Sequence, residues 1–428
     1  MKVAVGYPSR RARRSRDGAD AAATRCAIGR ARRLATDAHA AGPAAWLPYH
    51  RPSIGAEEIA EVVDTLRSGW VTTGPKTKRF EHEFATLLGV PDALAVSSGT
   101  AALHLALRVL GIQPGDDVIV PAYTFTATAE AVTYLGARPV LADVDPVTCN
   151  LRGEDIERAR TAHTRAVVPV HIAGLPCDMD PILDVARTRR LAVVEDAAHA
   201  LPARDRGRWV GTLGDATAFS FYATKNITTG EGGMLVVRDP QAAELARILA
   251  LHGISRDAWK RYTAAGHWRY EILASGYKYN LPDLAASLGL AQLRKLARFH
   301  ARRRQLAARY DRGLAYLDAI ERPPHAPRDG THAWHLYMVR LRTAALRIDR
   351  DRFIDELRAR NVGTSVHFIP LHLHPYYQQV WGYRPGQFRG AEAAWSQAVS
   401  LPLYPAMSDG DVDDVLTAVS DVVRKHRR

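Results

Sequence analysis

The chain has 428 residues, 47% of them hydrophobic, with 31 Gly, 24 Pro and a formal net charge of +13. That length and apolar content suit a large globular core and exclude a fibrous or wholly disordered chain. No uninterrupted apolar run approaches the ~18 residues of a membrane-spanning helix.

Three widely separated cysteines, Cys26, Cys149 and Cys177, make neither a disulfide framework nor a metal-ligand cluster. No metal is expected, and a reducing cytoplasm is the default compartment. The charge is uneven: residues 1–46 carry ten Lys plus Arg against three Asp, a net +7, which leaves +6 for the remaining 382 residues. This Arg- and Ala-rich stretch has no apolar h-region, so it is not a secretory signal. Its composition cannot bury a core, and a disordered basic tail over 1–46 is expected, with the fold beginning near Trp46. The mildly basic body is compatible with an anionic substrate such as a nucleotide diphosphate, without demanding one.

From Pro91 to Val237 short apolar runs alternate with longer amphipathic ones. The pattern predicts strands at 93–96, 117–120, 138–143, 166–171, 191–195, 216–221 and 233–237, and helices at 100–110, 126–136, 153–160 and 179–190. Such alternation predicts an α/β fold with a mostly parallel sheet covered on both faces. Ligands of these sheets bind at the carboxyl ends of the strands. After Asp283, DLAASLGLAQLRKLARFHARRRQLAARY reads as one long helix, then come a strand in HAWHLYMVRL, a helix in DRDRFIDELRARN, a strand in TSVHF and two helical stretches. A large domain over 47–300 and a smaller α/β domain over 301–428 are expected.

The densest chemistry lies in DATAFSFYATKNITTGEGGMLVV, residues 215–237. Lys225 follows an apolar strand and precedes a glycine-rich turn that lets backbone approach a ligand closely. An ordinary lysine is solvated and protonated, with a pKa near ~10.4; burial makes it a nucleophile able to condense with an aldehyde cofactor. Asp196, in VVEDAAHA, ends another strand, where a carboxylate is costly without a partner. The protonated ring nitrogen of pyridoxal phosphate (PLP) is a fitting one; an N-cap for a following short helix is the other reading. His199 lies one helical turn on and can reach the same site, or serve structure alone. SSGTAALHLAL places Gly99 and Thr100 at a strand-to-helix junction, whose free N–H groups suit a phosphate. Ser220 can add a hydroxyl, and Phe125 can stack on a ring or fill the core.

Together these pieces resemble the DegT/DnrJ/StrS family of PLP-dependent sugar aminotransferases, from about residue 50 to 419. The likeness rests on SSGTAALHLAL, VIVPAYTFTATAEAVTYLGARPVLADVD, PVHIAGLPCDMDPI, VVEDAAHALPA, FSFYATKNITTGEGG, GYKYNLPDLAASLGLAQL and TSVHFIPLHLHPYYQ. Within the family, EDAAHA, the KNIT and GEGG elements and GYKYNL are similar to enzymes that aminate carbon 4 of UDP-linked 4-keto sugars, such as UDP-4-amino-4-deoxy-L-arabinose synthase. The resemblance implies the aspartate-aminotransferase fold with a seven-stranded sheet, and a homodimer with active sites at the subunit interface. It implies Lys225 as the Schiff-base lysine, Asp196 on the pyridine nitrogen, His199 on the phenolic oxygen, Gly99, Thr100 and Ser220 on phosphate, and Phe125 on the ring. Many relatives carry an Asn-x-Arg in a segment reaching the partner's phosphate; here Lys278 and Asn280 occupy those positions. His372, Thr73 and Gly74 match positions near substrate. The implied reaction takes the amino group of glutamate to a nucleotide-linked keto sugar, for surface polysaccharide, lipopolysaccharide or natural-product synthesis.

Two other reactions share the cofactor: 3-dehydration of keto sugars, in whose enzymes a histidine replaces the lysine, and amination of a keto-cyclitol. Lys225 speaks against the dehydratase. A DNA-binding regulator is the reading from another class, but no helix-turn-helix signature is present. A basic tail alone gives only weak, salt-dependent binding, so neither nucleic acid nor membrane is expected as a partner.

Overall fold

Seven apolar runs become the strands of one sheet. They are β1 (Leu94–Val96), β2 (Asp117–Pro121), β3 (Arg138–Ala142), β4 (Thr164–Val167), β5 (Ala192–Asp196), β8 (Ala216–Ser220) and β9 (Gly233–Val237), with a short hairpin of β6 (Arg204–Asp205) and β7 (Arg208–Trp209) between β5 and β8. The computed structural model describes residues 42–255, 270–327 and 329–428. The expected tail lies, over residues 1–41, outside the described residues. Strand order is β1-β9-β8-β5-β4-β2-β3. Only the two pairings that involve β9 are antiparallel. The sheet is therefore mostly parallel, and its central strands are buried on both faces, as their continuous apolar sequences require. Helices Gly99–Val109, Ala127–Thr133, Gly153–Ala159 and Met179–Arg189 stand at the predicted places between strands.

A second, antiparallel sheet is built from β10 (Ile320–Glu321), β11 (Tyr337–Leu341) and β12 (Ala398–Leu401). Here the structure departs from expectation. TSVHF is not a strand: only Ser365 pairs, exchanging bonds with Ser400 at 3.2 and 2.8 Å, before the chain turns toward the first sheet. β12, absent from the prediction, follows helix Arg389–Gln397 without an intervening turn, and the chain closes on helix Asp409–His426.

Helix Asp283–Leu314 runs for 32 residues. Its first half places Ala286, Leu290, Leu296 and Phe299 in a core with Phe80, Phe84 and Phe221; its second half places Leu306, Tyr310 and Leu314 in another with Tyr337, Phe353 and Val419. Gly289 lets Phe80 lie against the helix, since a Cβ there would meet the ring at 2.7 Å. Residue 300, where a boundary was expected, lies inside this continuous helix, and residues 42–428 form one compact unit. Among the described residues no helix is long and apolar enough to cross a membrane.

Candidate active site

β5 and β8 are parallel neighbours, with Asp196 opposite Ala218. Their carboxyl ends therefore open side by side. Asp196 terminates β5 and is 5% exposed. Its Oδ2 accepts from the Thr128 hydroxyl at 2.8 Å and its Oδ1 from the Ala198 N–H at 3.1 Å. Burial raises its pKa, with these bonds and Lys225 opposing the rise. Residues 197–200 form a turn rather than a helix, so Asp196 is not a helix cap. Lys225 sits in the turn after β8, its N–H bonded to the Tyr222 carbonyl at 2.9 Å. The residue is half-buried, and desolvation lowers its pKa to about 8 against the attraction of Asp196. His199 is buried too, and its Nδ1 accepts the Ala173 N–H at 3.3 Å. Burial, then Lys225 and His367, hold its pKa well below the usual imidazole range.

The junction after β1 is the second element. Ser98 caps helix Gly99–Val109, its Oγ accepting the Ala101 N–H at 3.0 Å. The N–H groups of the opening residues, Gly99 and Thr100, have no acceptor within the helix. Backbone is crowded here: a Cβ on Gly99 would lie 2.9 Å from the Ser220 Cβ, and one on Gly233 would lie 2.5 Å from the Ser98 carbonyl oxygen. The two glycines thus bring the helix start, the end of β8 and the start of β9 together.

Distant segments also approach Lys225. His50, His335 and His367 all feel the charge of Lys225. Burial drives His367 to about 3 and His50 to about 4, so these imidazoles are neutral at physiological pH. Phe125 is 57% exposed; its ring lies 5.6 Å from Phe368, which lies 5.8 Å from His199. Sequence reading missed Thr128, His50, His335, His367 and Phe368. The histidines stand out in HAWH and VHF, but nothing local says that they converge on Lys225. Among the described residues no His, Cys, Asp and Glu group is arranged to hold a metal.

The DegT/DnrJ/EryC1/StrS aminotransferase family matches this chain over residues 52–420. The chain belongs to that family. It is an aminotransferase. SpsC of Bacillus subtilis, a spore coat polysaccharide biosynthesis protein, is 50% identical over 380 residues, covering 89% of this chain and 97% of SpsC. Among solved structures, the aminotransferase TlmJ of Streptoalloteichus hindustanus superposes with a TM-score of 0.81 at 38% identity, covering 89% of this chain and 99% of its own. Spr1654 of Streptococcus pneumoniae, described as a sugar aminotransferase and solved in a PLP form, gives 0.83 at 36% identity, covering 89% and 99%.

In this aminotransferase the other expected site residues are placed differently. The Thr73 hydroxyl donates to the Leu281 carbonyl at 2.6 Å and accepts from Asn280 Nδ2 at 2.7 Å. The Gly74 N–H is bonded to Asp283 at 2.7 Å, and a Cβ there would strike the Trp70 indole. Asn280 also pairs its backbone with Val96. Lys278, two residues earlier, is exposed. His372 is fully buried, with Nε2 on Glu392 at 2.8 Å and its ring against Phe388. Thr73 and Gly74 thus make internal bonds, whereas Asn280 Oδ1 and His372 Nδ1 are buried without a hydrogen-bond partner among the described residues.

Proposed function

We propose that this enzyme moves an amino group from glutamate to a nucleotide-linked keto sugar, with PLP at the Lys225 pocket. One observation carries the reading: an amine with its pKa brought down to about 8 shares a site with a buried carboxylate that makes no ion pair among the described residues. When bound, PLP supplies an aldehyde and an electron-accepting pyridinium ring. The residues present fit it. Lys225 would hold the aldehyde, and Asp196 the ring nitrogen, whose positive charge would give this carboxylate a directly bonded counter-ion. His199 can donate from Nε2 to the phenolic oxygen, because its Nδ1 already accepts the Ala173 N–H. Gly99, Thr100 and Ser220 suit the phosphate at a helix N-terminus, and Phe125 would stack on the ring. In a homodimer the exposed Lys278 would bring a positive charge toward the partner's phosphate.

Once the donor's amine has displaced it from the aldehyde, the Lys225 Nζ would act as the base that takes the proton from the donor's α-carbon and delivers it to the former aldehyde carbon. A pKa of about 8 leaves a useful fraction of it unprotonated near neutrality. His50, His335 and His367 are neutral, and His50 and His367 already bond the Ala223 carbonyl and the Ser400 and Tyr49 hydroxyls, respectively. The description of Spr1654 as a sugar aminotransferase and the polysaccharide role in the name of SpsC support a sugar acceptor. Likeness in EDAAHA and GYKYNL favours a UDP-linked 4-keto sugar, and the cytoplasm is the setting that holds both substrates. Lys225 and Asp196 come from residues 47–300 and His335 and His367 from residues 301–428, a cofactor side and an acceptor side joined by the continuous helix that crosses residue 300.

Purified protein supplied with PLP should absorb visible light and lose the band on borohydride treatment. Lys225→Ala should lack both the band and turnover, and a panel of nucleotide keto sugars with glutamate should identify the acceptor, with the new amine located by NMR. A colourless wild-type protein, or a Lys225→Ala variant that still transaminates near the normal rate, would overturn the reading.

A further inference from the structure

Asn226 follows Lys225 and is buried. Its Nδ2 donates to two carbonyls, Leu201 at 2.7 Å and Ala333 at 2.9 Å. Both amide hydrogens are thereby used, the side chain has one orientation, and Oδ1 remains an acceptor. The partner of Oδ1 is His335 Nδ1 at 3.2 Å. An amide oxygen only accepts, so the proton of His335 is on Nδ1 and its Nε2 carries a lone pair. His199 is set the other way: its Nδ1 accepts the Ala173 N–H, so its proton is on Nε2. The two rings are neighbours, with centroids 4.4 Å apart and planes inclined at 36°.

The same three segments are tied again through the turn at Ala173. The Ala333 N–H bonds to the Gly174 carbonyl at 2.8 Å, and the Leu336 N–H to the Ala173 carbonyl at 3.1 Å. Ala173 is held at φ 57°, a region that L-residues adopt at a cost. A Cβ on Gly174 would lie 2.9 Å from both the Ala333 Cβ and the His199 carbonyl oxygen. The turn is wedged between the segment of His199 and the segment of His335, and Asn226 joins both to the turn of Lys225.

We propose that Asn226 is a positioning residue for amino transfer: its carboxamide fixes the Lys225 turn against the segments of His199 and His335, and sets complementary tautomers in the two rings. This inference rests on reading the Lys225 pocket as the transamination site. Besides burial, the groups that press on these rings are Lys225 and His367 for His199, and His199, Lys225, Arg303 and His367 for His335, all of which favour the neutral forms.

The test uses the full chain stripped of cofactor and labelled with ¹⁵N-histidine, with His199→Gln and His335→Gln to assign the rings. Long-range ¹⁵N–¹H spectra should show His199 protonated on Nε2 and His335 on Nδ1, both neutral at pH about 7. Asn226→Ala should mix the His335 tautomers and cut kcat about 10- to 100-fold, the scale of a small misplacement of reacting groups. Asn226→Asp keeps the shape but sets a carboxylate on His335 Nδ1, so that ring should become protonated at a measurable pH; this readout serves if the alanine variant does not fold. A wild-type His335 protonated on Nε2, or variants that keep both wild-type ring signals and wild-type kcat, would overturn the inference while leaving a coloured, active enzyme. A colourless wild-type protein would instead remove the functional reading beneath it.

Discussion

Replacing Lys225 with methionine should destroy activity and strengthen the cofactor-free fold. The amine is held at about 8 against an ordinary 10.5, chiefly by desolvation. Each pH unit is worth about 1.4 kcal/mol, so the folded chain carries a penalty of up to about 3 kcal/mol whenever the side chain is charged. The lowered value already includes the attraction of Asp196, so no further correction applies and the net gain should be about 3 kcal/mol at most. The direction with pH follows from a depressed base. The penalty is full below the folded pKa of about 8, declines as pH rises, and is gone at the unfolded value of 10.5. Urea unfolding of the stripped wild type and Lys225→Met at pH about 7 should therefore favour the variant, and the gap should close toward pH about 10. Equal stabilities at neutral pH, or a gap that alkali does not narrow, would mean that the lysine is solvated and the argument from its burial is unsound.

Other consequences can be measured on the same preparation. Capture of added PLP by the stripped chain, followed by absorbance, should accelerate with pH to a midpoint near 8, because only the free amine attacks; a midpoint near 10.5 would mark an ordinary lysine. Thr128→Val deletes the hydroxyl bonded to Asp196 and should cost about 1–3 kcal/mol at neutral pH, as for an under-satisfied buried acceptor; the cost should shrink in acid as the carboxyl protonates. Gly99→Ala drives a Cβ to 2.9 Å from that of Ser220 and should weaken PLP binding at least about tenfold by distorting the helix start. Equilibrium titration should show partial recovery in Gly99→Ala/Ser220→Gly, which removes the clashing atom while leaving Ser220's hydroxyl contribution lost.

The large sheet was legible because its strands are buried on both faces and read as unbroken apolar runs between turn signals. Lys225, Asp196, Ser220 and Gly99 were legible for a related reason: each stands where such a run ends. The second sheet was harder. Ala398–Leu401 continues directly from a helix, with no glycine or proline to mark the change. TSVHF has the alternation of a strand, yet after Ser365 its backbone leaves the ladder and carries His367 and Phe368 toward the pocket. His335 and His367 become neighbours of Lys225 only through tertiary folding, which no local pattern records. The packing of His372 against Phe388 and its bond to Glu392 are likewise tertiary and left no local signal.

The helix Asp283–Leu314 spans roughly 48 Å at 1.5 Å per residue. It contributes side chains to two cores without a break, so neither core owns a complete set of its own walls. A polypeptide cut at residue 300 would leave Leu296 and Phe299 on a frayed stub in one piece and Leu306 and Tyr310 on an uncapped stub in the other. The two halves of the enzyme are in this sense a single folding commitment, and melting of residues 42–428 should proceed as one event rather than two.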